Sequence, residues 1–442
     1  MTTAPQGRFN SERVALAGLG ASGLAMLLFV AACPWIVRTQ GYQAFIPALA
    51  ASGLLTIVAA KLAAEVPARS GLILILGLAL AMRLLLVGQE PFLSTDIYRY
   101  IWDGRVQGAG INPYAYVPAA PALEALRDAT IFPYINRADY AVTAYPPIAE
   151  MFFFGVTRIA ESLTAMRLAM IGCEILTVAV IIDIARMLER PVTAVVAYAW
   201  HPLAIFEIAS SGHVEGLMVA LLMLGVWLMV RARAVAGVVF VALAALVKPY
   251  AVLALPAFWR PWDWRAPVAA IATVILCYLP YAGVGRGVFG FMGSGYAGEE
   301  GLLDGSGIWV VALVRRFVGD LPGLVVLYGL VAAGVMAWLA LRAAFRTERT
   351  PQSTIEDITL LFTAGLFFFS PNYAWYVLAL GAGAPVWALT IAAFFLYRPI
   401  VLPENDLVWK TLAVLPFVIA VGLKLVTRGR VFRAQGESAW TS

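Results

Sequence analysis

Charge is scarce in this 442-residue chain: 13% of the residues are Asp, Glu, Lys or Arg, whereas 62% are hydrophobic. This composition, with a mean hydropathy of +0.84, excludes a soluble globular fold for most of the chain. Cysteine is also rare, with three residues. Cys33, Cys173 and Cys277 lie inside apolar runs and are too far apart for a metal-binding motif, so we interpret them as buried core residues.

The positive balance of the chain does not indicate a nucleic-acid partner, although the net charge is +5 and the pI is about 9.1. The Arg residues stand in short groups between apolar runs and do not cluster on one face. We therefore interpret them as signals of membrane topology, with the lipid bilayer as a partner. The first apolar run lacks a small-residue cleavage site, so we expect it to remain as an anchor.

Apolar runs close to the length of a membrane-spanning helix recur from end to end. They predict an all-α, polytopic transmembrane helical bundle of about eleven to thirteen spans, forming one integral membrane domain over residues 1–442. Prolines such as Pro249, Pro256, Pro371 and Pro385 interrupt some runs and predict broken or re-entrant helices. The candidate spans lie at about 14–36, 44–61, 70–88, 167–186, 192–209, 214–230, 234–247, 266–282, 322–341, 355–369, 383–397 and 408–427.

Orientation follows from the Lys and Arg residues in short loops, which favour the cytoplasmic side. Arg8 and Arg13 precede the first span, and Lys61 and Arg69 follow the second. This pattern predicts a cytoplasmic N-terminus in the cytoplasmic (inner) membrane and places the first large loop on its outer face. Segment 145–160 is then expected to be an interfacial or half-inserted helix and not a full span.

Two predicted outer loops are too long to be simple connections. The first, here called loop 89–146, combines acidic residues with many tyrosines, and we predict that it carries short interfacial helices. The second, the glycine-rich segment 283–306, contains Glu299, Glu300 and Asp304. It could be a substrate-gated lid or a poorly ordered outer loop.

The densest group of charges in loop 89–146 lies on a predicted helix over 94–106. Asp96, Arg99 and Asp103 share one face of that helix. A carboxylate beside a guanidinium stays ionised, so Asp96 could accept a proton or coordinate a hydroxyl. Arg99 and Arg105 could instead face a lipid phosphate. The alternative is an amphipathic interfacial helix whose charges are solvated.

Nine other polar or aromatic residues interrupt apolar runs or follow prolines, and we predict that they bind substrate: Asn112, Tyr145, Glu150, His213, Glu215, Lys248, Asn372, Trp375 and Tyr376. Aromatic rings suit the apolar face of a pyranose, and amide or acidic groups suit its hydroxyls. Helix–helix polar contacts, snorkelling and interfacial aromatic anchoring are the alternatives. If the ligand carries an anionic group such as a lipid phosphate, it needs cations, for which Arg99, Arg105, His213 and Lys248 are the candidates.

Several motifs together resemble a known family. They are STDIYRYIWDGRVQGAGINPY, TAYPPIAEMFF, HPLAIFEIASSGHVEG, LVKPYAVLALP and SPNYAWY, which follow one another over roughly residues 85–385. This order resembles the bacterial polyprenyl-phosphate-sugar-dependent membrane glycosyltransferases of GT-C fold, in particular the α-mannosyltransferase-like branch. The family pattern has a proline or histidine before the last Trp-Tyr pair, where this chain has Ala374.

The resemblance implies a GT-C fold, a polyprenyl-phosphate sugar donor and an envelope glycan or glycolipid acceptor. Asp96 matches the catalytic base of the family, and Asp103 matches a second acidic position. The implied reaction transfers a hexosyl unit, with mannosyl expected, and inverts the donor anomeric carbon. A β-linked donor would then give an α-linked product.

A cofactor is not required by these motifs. Asp96 and Asp103 could hold a divalent cation through water, but the loop has no compact Asp-x-Asp pair, so we predict no obligatory metal. A lipid-linked-substrate flippase or secondary transporter is the main alternative function, because it would also have broken helices and intramembrane charges. A scaffold subunit is a third interpretation. A cavity beside Asp96 that opens sideways to lipid would favour the transferase.

Overall fold

The computed structural model describes residues 4–370, 372–379 and 407–416, together with positions 396, 418 and 419. Within these residues the regular structure is helical and no strand occurs. The prediction of an all-α fold is therefore confirmed.

Several helices have the length and composition of membrane spans. Five qualify within the described residues: Ser11–Ala63, Ala68–Val87, Leu163–Met187, Arg265–Glu299 and Leu324–Ala344. A sixth is added if the pair Val192–Ala199 and Pro202–Ser210, bent by 58°, counts as one broken span. The protein is a multi-pass helical membrane protein, as the composition predicts.

Several features make this number lower than the number of candidate spans. Some apolar runs form short helices, such as Ala234–Ala245 with 12 residues, and a helix of that length covers only about 18 Å of a hydrocarbon core about 30 Å thick. The candidate span 383–397 falls almost wholly outside the described residues.

The first helix, α1 (Ala4–Ala63), joins two of the predicted spans. Gly41 interrupts it with φ 70° and ψ −177°, a conformation that favours glycine because it has no Cβ. The two apolar halves on either side of Gly41 contain the candidate spans 14–36 and 44–61.

A buried ion pair joins α2 (Ala68–Val87) to Leu163–Met187. Arg83 donates through Nε to Glu174 Oε2 at 2.6 Å and through Nη1 to the carbonyl of Ala199 at 2.8 Å. Both charged side chains are almost fully buried. Because a charge in an apolar interior must be paired and hydrogen-bonded, the pair fixes how these elements meet.

Loop 89–146 begins with α3 (Asp96–Gly108), which packs on α4 (Pro147–Ile159). Thr95 occupies the N-cap position without a side-chain cap, and Ser94 Oγ accepts from the backbone N–H of Asp96 at 3.2 Å. At Gly104 a Cβ would collide with the Phe153 carbonyl oxygen, so glycine permits the close crossing. With 13 residues, α4 is too short to span a bilayer, as expected for segment 145–160.

Most of the glycine-rich segment is helical in this structure. Its helical turns are Leu279–Phe289, Gly290–Ser294 and Tyr296–Glu299, and non-helical turns follow over residues 300–306. The backbone N–H of Phe291 donates to the Thr143 carbonyl at 2.9 Å, which joins the segment to loop 89–146. Gly290 has φ 56°, and a Cβ there would collide with the same carbonyl oxygen. The lid interpretation stays a prediction.

Candidate active site

A cavity of about 940 Å³ lies between loop 89–146, the glycine-rich segment and the segments 248–253 and 365–376. Its polar and aromatic lining comprises Tyr42, Ser94, Thr95, Asp96, Asn136, Arg137, Tyr145, Lys248, Tyr250, Tyr296, Glu300, Ser370, Asn372, Tyr373 and Tyr376. The apolar lining includes Val252 and Phe369, which are 49% and 56% exposed. The cavity therefore combines a polar interior with residues of the apolar outer surface of the bundle.

Asp96 lies at the first turn of α3, where the helix dipole favours a negative charge. Asn136 Nδ2 donates to Oδ1 of Asp96 at 2.6 Å, and the Tyr145 hydroxyl lies 3.5 Å from Oδ2. Burial, together with the charge of Asp96, raises the pKa of Tyr145 well above its usual range. Tyr145 therefore stays protonated, and the carboxylate is oriented by two neutral groups.

Lys248 contributes a cation to the same cavity. Its Nζ lies 3.0 Å from Glu215 Oε1 and 5.4 Å from the ring centroids of both Tyr145 and Tyr376. The Glu215 side chain is fully buried, whereas that of Lys248 is 13% exposed. The ammonium is thus held by a carboxylate behind it and two aromatic rings beside it, with its remaining surface towards the cavity.

Arg137 supplies a second cation, a guanidinium, at the cavity wall. Its Nε donates to Glu299 Oε1 at 2.6 Å. Its φ of 59° is in the left-handed region, as is the φ of 45° at Ser370, another lining residue. Such conformations cost a non-glycine residue about 1 kcal/mol or more and are enriched at functional sites.

A buried polar network supports α3 from behind. Arg99 Nε donates to Asp103 Oδ1 at 2.8 Å and its Nη1 to the Ala141 carbonyl at 3.1 Å, so Arg99 pairs with Asp103 and not with Asp96. Thr143 Oγ1 donates to Glu150 Oε1 at 2.6 Å. Burial and the nearby Asp103 carboxylate raise the pKa of Glu150 well above its usual range. Because Arg99 neutralises the Asp103 carboxylate, we assign the proton that these two carboxyl groups could share to Glu150.

Arg105 and Asn112 also stabilise loop 89–146. Arg105 donates to Glu161 Oε2 at 2.7 Å and to Asp128 Oδ2 at 2.8 Å. Asn112 Nδ2 donates to the carbonyl of Tyr281 at 3.0 Å. Neither side chain lines the cavity.

The structure therefore divides the predicted site residues into two groups. Asp96, Tyr145, Lys248, Asn372 and Tyr376 line the cavity. The following are placed outside its lining: Arg99, Asp103, Arg105, Asn112, Glu150, His213 and Glu215. His213 is buried with Nδ1 3.4 Å from Glu207 Oε2. The side chain of Trp375 lies outside the described part of the structure.

These placements change our assignment of the phosphate-binding cations. Arg99, Arg105 and His213 do not line the cavity, so we no longer place the phosphate beside them. Lys248 stays a candidate, and Arg137 joins it.

Sequence reasoning missed several lining residues, among them Asn136, Arg137, Tyr250, Tyr296, Glu300 and Tyr373. Tyr250 and Tyr373 lie inside the motifs LVKPYAVLALP and SPNYAWY but were not singled out. The other four carry no motif, and their only available signal was the unusual density of acidic and aromatic residues in the two loops that contain them.

Within the described residues, no group of three or more His, Cys, Asp or Glu side chains could hold a metal ion together. Metal independence stays a prediction.

The fold and the cavity define a multi-pass helical membrane protein with a carboxylate and a cation facing one partly apolar pocket. The chain belongs to the family described as "Alpha-(1->6)-mannopyranosyltransferase, N-terminal domain", whose family model matches residues 5–262. The family resemblance of the sequence motifs is thereby confirmed.

Two curated relatives carry the name "Alpha-(1->6)-mannopyranosyltransferase A". The one from Mycobacterium tuberculosis is 30% identical over 176 residues, which cover 39% of this chain and 34% of the relative. The one from Corynebacterium glutamicum is 29% identical over 186 residues, covering 40% and 36%. The chain thus spans about a third of the length of these relatives. No solved structure matches it.

Proposed function

We propose that the protein transfers a mannosyl unit from a polyprenyl-phosphate donor to an envelope glycan or glycolipid. One observation carries the proposal: Tyr145 contacts both Asp96 and Lys248 in one cavity, with its hydroxyl 3.5 Å from the Asp96 carboxylate and its ring 5.4 Å from Lys248 Nζ. A base and a cation are thus close enough to act on one bound ligand.

Lys248 is the proposed contact for the donor phosphate. Negative charge develops on this phosphate when it leaves the sugar, and a fixed ammonium stabilises it. The exposed apolar residues Val252 and Phe369 are suited to the polyprenyl chain that follows the phosphate. Arg137 is the second proposed cation.

Asp96 is the proposed general base. It removes the proton of an acceptor hydroxyl as that oxygen attacks the anomeric carbon of the donor. The bond between this carbon and the phosphate oxygen breaks, and the polyprenyl phosphate leaves with the electron pair. A single displacement inverts the anomeric centre, so a β-linked donor yields an α-linked product.

Mannose is proposed on the family membership and on the printed names of the relatives. The lipid-linked donor and the outer face of the cytoplasmic membrane are proposed from the motif resemblance and from the charge distribution. The apolar side of the cavity supports a donor that enters from the bilayer.

The test is transfer by the purified protein in liposomes. It is supplied in turn with labelled polyprenyl-phosphate mannose, glucose, galactose and a pentose, plus an α-mannoside acceptor. We expect mannose to be transferred, with an α linkage in the product. Asp96→Asn should abolish most of the transfer, and Asp139→Asn is the matched control, because Asp139 is exposed in the same loop and outside the cavity.

A flippase would give a different result. It would move the labelled lipid across the bilayer without forming a new glycoside, and Asp96→Asn would then change translocation and not transfer. That outcome would contradict the proposed function.

A further inference from the structure

The cavity contains a second carboxylate–amide pair that the proposed base and phosphate contacts do not use. Glu300, which follows the last helical turn of the glycine-rich segment, accepts a hydrogen bond through Oε2 from Asn372 Nδ2 at 2.7 Å. The two residues come from segments far apart in the chain, and both line the cavity. We propose that Glu300 and Asn372 form a subsite that binds the hydroxyl groups of a pyranose.

Unused hydrogen-bonding capacity is the first argument. Glu300 is only 7% exposed, yet its Oε1 has no hydrogen-bond partner among the described residues. Asn372 Oδ1 and the Tyr250 hydroxyl also have no hydrogen-bond partner among the described residues. Buried polar atoms are rarely left unpaired, and those that are call for an explanation such as a ligand. Here three of them belong to residues that line one cavity.

The chemistry of these atoms selects the class of ligand. A carboxylate oxygen and an amide oxygen are acceptors, and a phenol both donates and accepts. Neighbouring hydroxyls of a pyranose supply the matching donors. A polyprenyl chain offers no donor, and a phosphate would be repelled by the carboxylate. The subsite therefore fits the sugar and not the lipid or phosphate part of a donor.

The position of the pair relative to Lys248 is consistent with a sugar next to a phosphate. Tyr376, whose ring lies 5.4 Å from Lys248 Nζ, shares a hydrogen bond between hydroxyls with Tyr296. Tyr296 is four residues before Glu300 and lines the same cavity. Two hydrogen-bonded phenol groups thus connect the ammonium to the helical turn that directly precedes Glu300.

In naming the ligand a mannosyl unit, the inference rests on the proposed function. The unit could belong to the donor or to the acceptor glycan, and both present the same hydroxyls. The experiment must therefore separate these two sources.

The proposed experiment measures equilibrium binding to the purified full chain in nanodiscs containing EDTA. Three probes are used: polyprenyl-phosphate mannose, the same polyprenyl phosphate without sugar, and an α-mannoside oligosaccharide. Glu300→Gln preserves an oxygen for Asn372 but replaces the charged acceptor with a neutral donor. Tyr250→Phe removes only a hydroxyl and serves as the mild second variant. Glu124→Gln is the matched control, since Glu124 is exposed and outside the cavity.

We expect Glu300→Gln to weaken binding of a mannose-bearing probe by about tenfold or more, the scale of a hydrogen bond to a charged group. Tyr250→Phe should weaken it by about threefold or more, as for a neutral hydrogen bond. Binding of the sugar-free lipid should not change. Loss confined to the lipid-linked probe assigns the subsite to the donor, and loss confined to the oligosaccharide assigns it to the acceptor.

The inference would be overturned if the variants weakened binding of the sugar-free lipid as much as binding of the mannosides. It would also be overturned if both variants bound both mannosides with wild-type affinity, or if the wild type bound no mannoside. If the wild type binds mannosides and Glu300→Gln weakens that binding, but no transfer occurs, the subsite stands and the proposed function fails.

Discussion

Replacement of Lys248 by methionine should harm both folding and donor binding, for separable reasons. Glu215 is fully buried and paired with Lys248 at 3.0 Å. Removal of one partner of a buried ion pair costs about 3–5 kcal/mol, because the other charge stays desolvated. Since the Lys248 side chain is 13% exposed, we expect about 3 kcal/mol, the lower end of that range.

The donor effect is independent of this stability cost. A hydrogen bond from an ammonium to a phosphate is worth about 1.5–3 kcal/mol, so Lys248→Met should weaken donor binding by about tenfold to a hundredfold. The double variant Lys248→Met/Glu215→Leu removes both charges and fills the space with apolar atoms. It should recover most of the stability but none of the donor affinity.

The assay combines thermal unfolding in nanodiscs with equilibrium binding of polyprenyl phosphate. Glu215→Gln provides the converse control, because it leaves the ammonium in place without its counter-charge and should preserve or strengthen donor binding. The reasoning is refuted if Lys248→Met binds the donor within threefold of the wild type. It is also refuted if the double variant regains the affinity that the single variant lost.

Four other outcomes are expected. Asp96→Asn should reduce the turnover number by about a hundredfold or more, as loss of a general base does, with an unchanged unfolding temperature; near-normal turnover of the folded variant would exclude Asp96 as the base. Arg105→Lys should lower the free energy of unfolding by about 1 kcal/mol, because an ammonium cannot hold Glu161 and Asp128 in the same geometry as the guanidinium. A changed donor affinity would show that Arg105 does reach the ligand. Gly290→Ala should raise protease sensitivity of the glycine-rich segment, since φ 56° and the nearby carbonyl both oppose a Cβ; a wild-type digestion pattern would contradict this. Burial works to raise the pKa of Asp128, but hydrogen bonds from Arg105 and two backbone N–H groups outweigh it and lower the pKa. The stabilisation from this carboxylate should therefore be lost as pH falls below about 4, the pKa in the unfolded chain. Thermal unfolding should show this loss in the wild type but not in Asp128→Asn.

The class of protein and the type of its secondary structure could be predicted from the sequence. Composition alone shows that most of the chain cannot be kept in water, and in a bilayer the backbone must satisfy its own hydrogen bonds. The helix that carries Asp96 was also predictable, because residue spacing and the family motif are local properties. Its observed start at Asp96 differs by only two residues from the expected one.

Partner choice was less predictable, even within one helix. Arg99 could reach Asp96 or Asp103, since both are one turn away. The rest of loop 89–146 packs on α3 and decides for Asp103, because it adds the Ala141 carbonyl as a further acceptor for Arg99. Arg105 looked equally suited to a lipid phosphate. Its two carboxylate partners lie 23 and 56 positions further along the chain, so spacing could not reveal them.

By itself, the sequence determined the solvent, the helical fold, the family and the residue at the centre of the proposed chemistry, because each depends on composition or on a contiguous motif. Only the tertiary structure decided which charges face the cavity. Glu300 and Asn372 are 72 positions apart, and Lys248 meets Glu215 and two tyrosines from three other segments. Such groups are brought together by helix packing, in which a charge is placed wherever a partner offsets its desolvation.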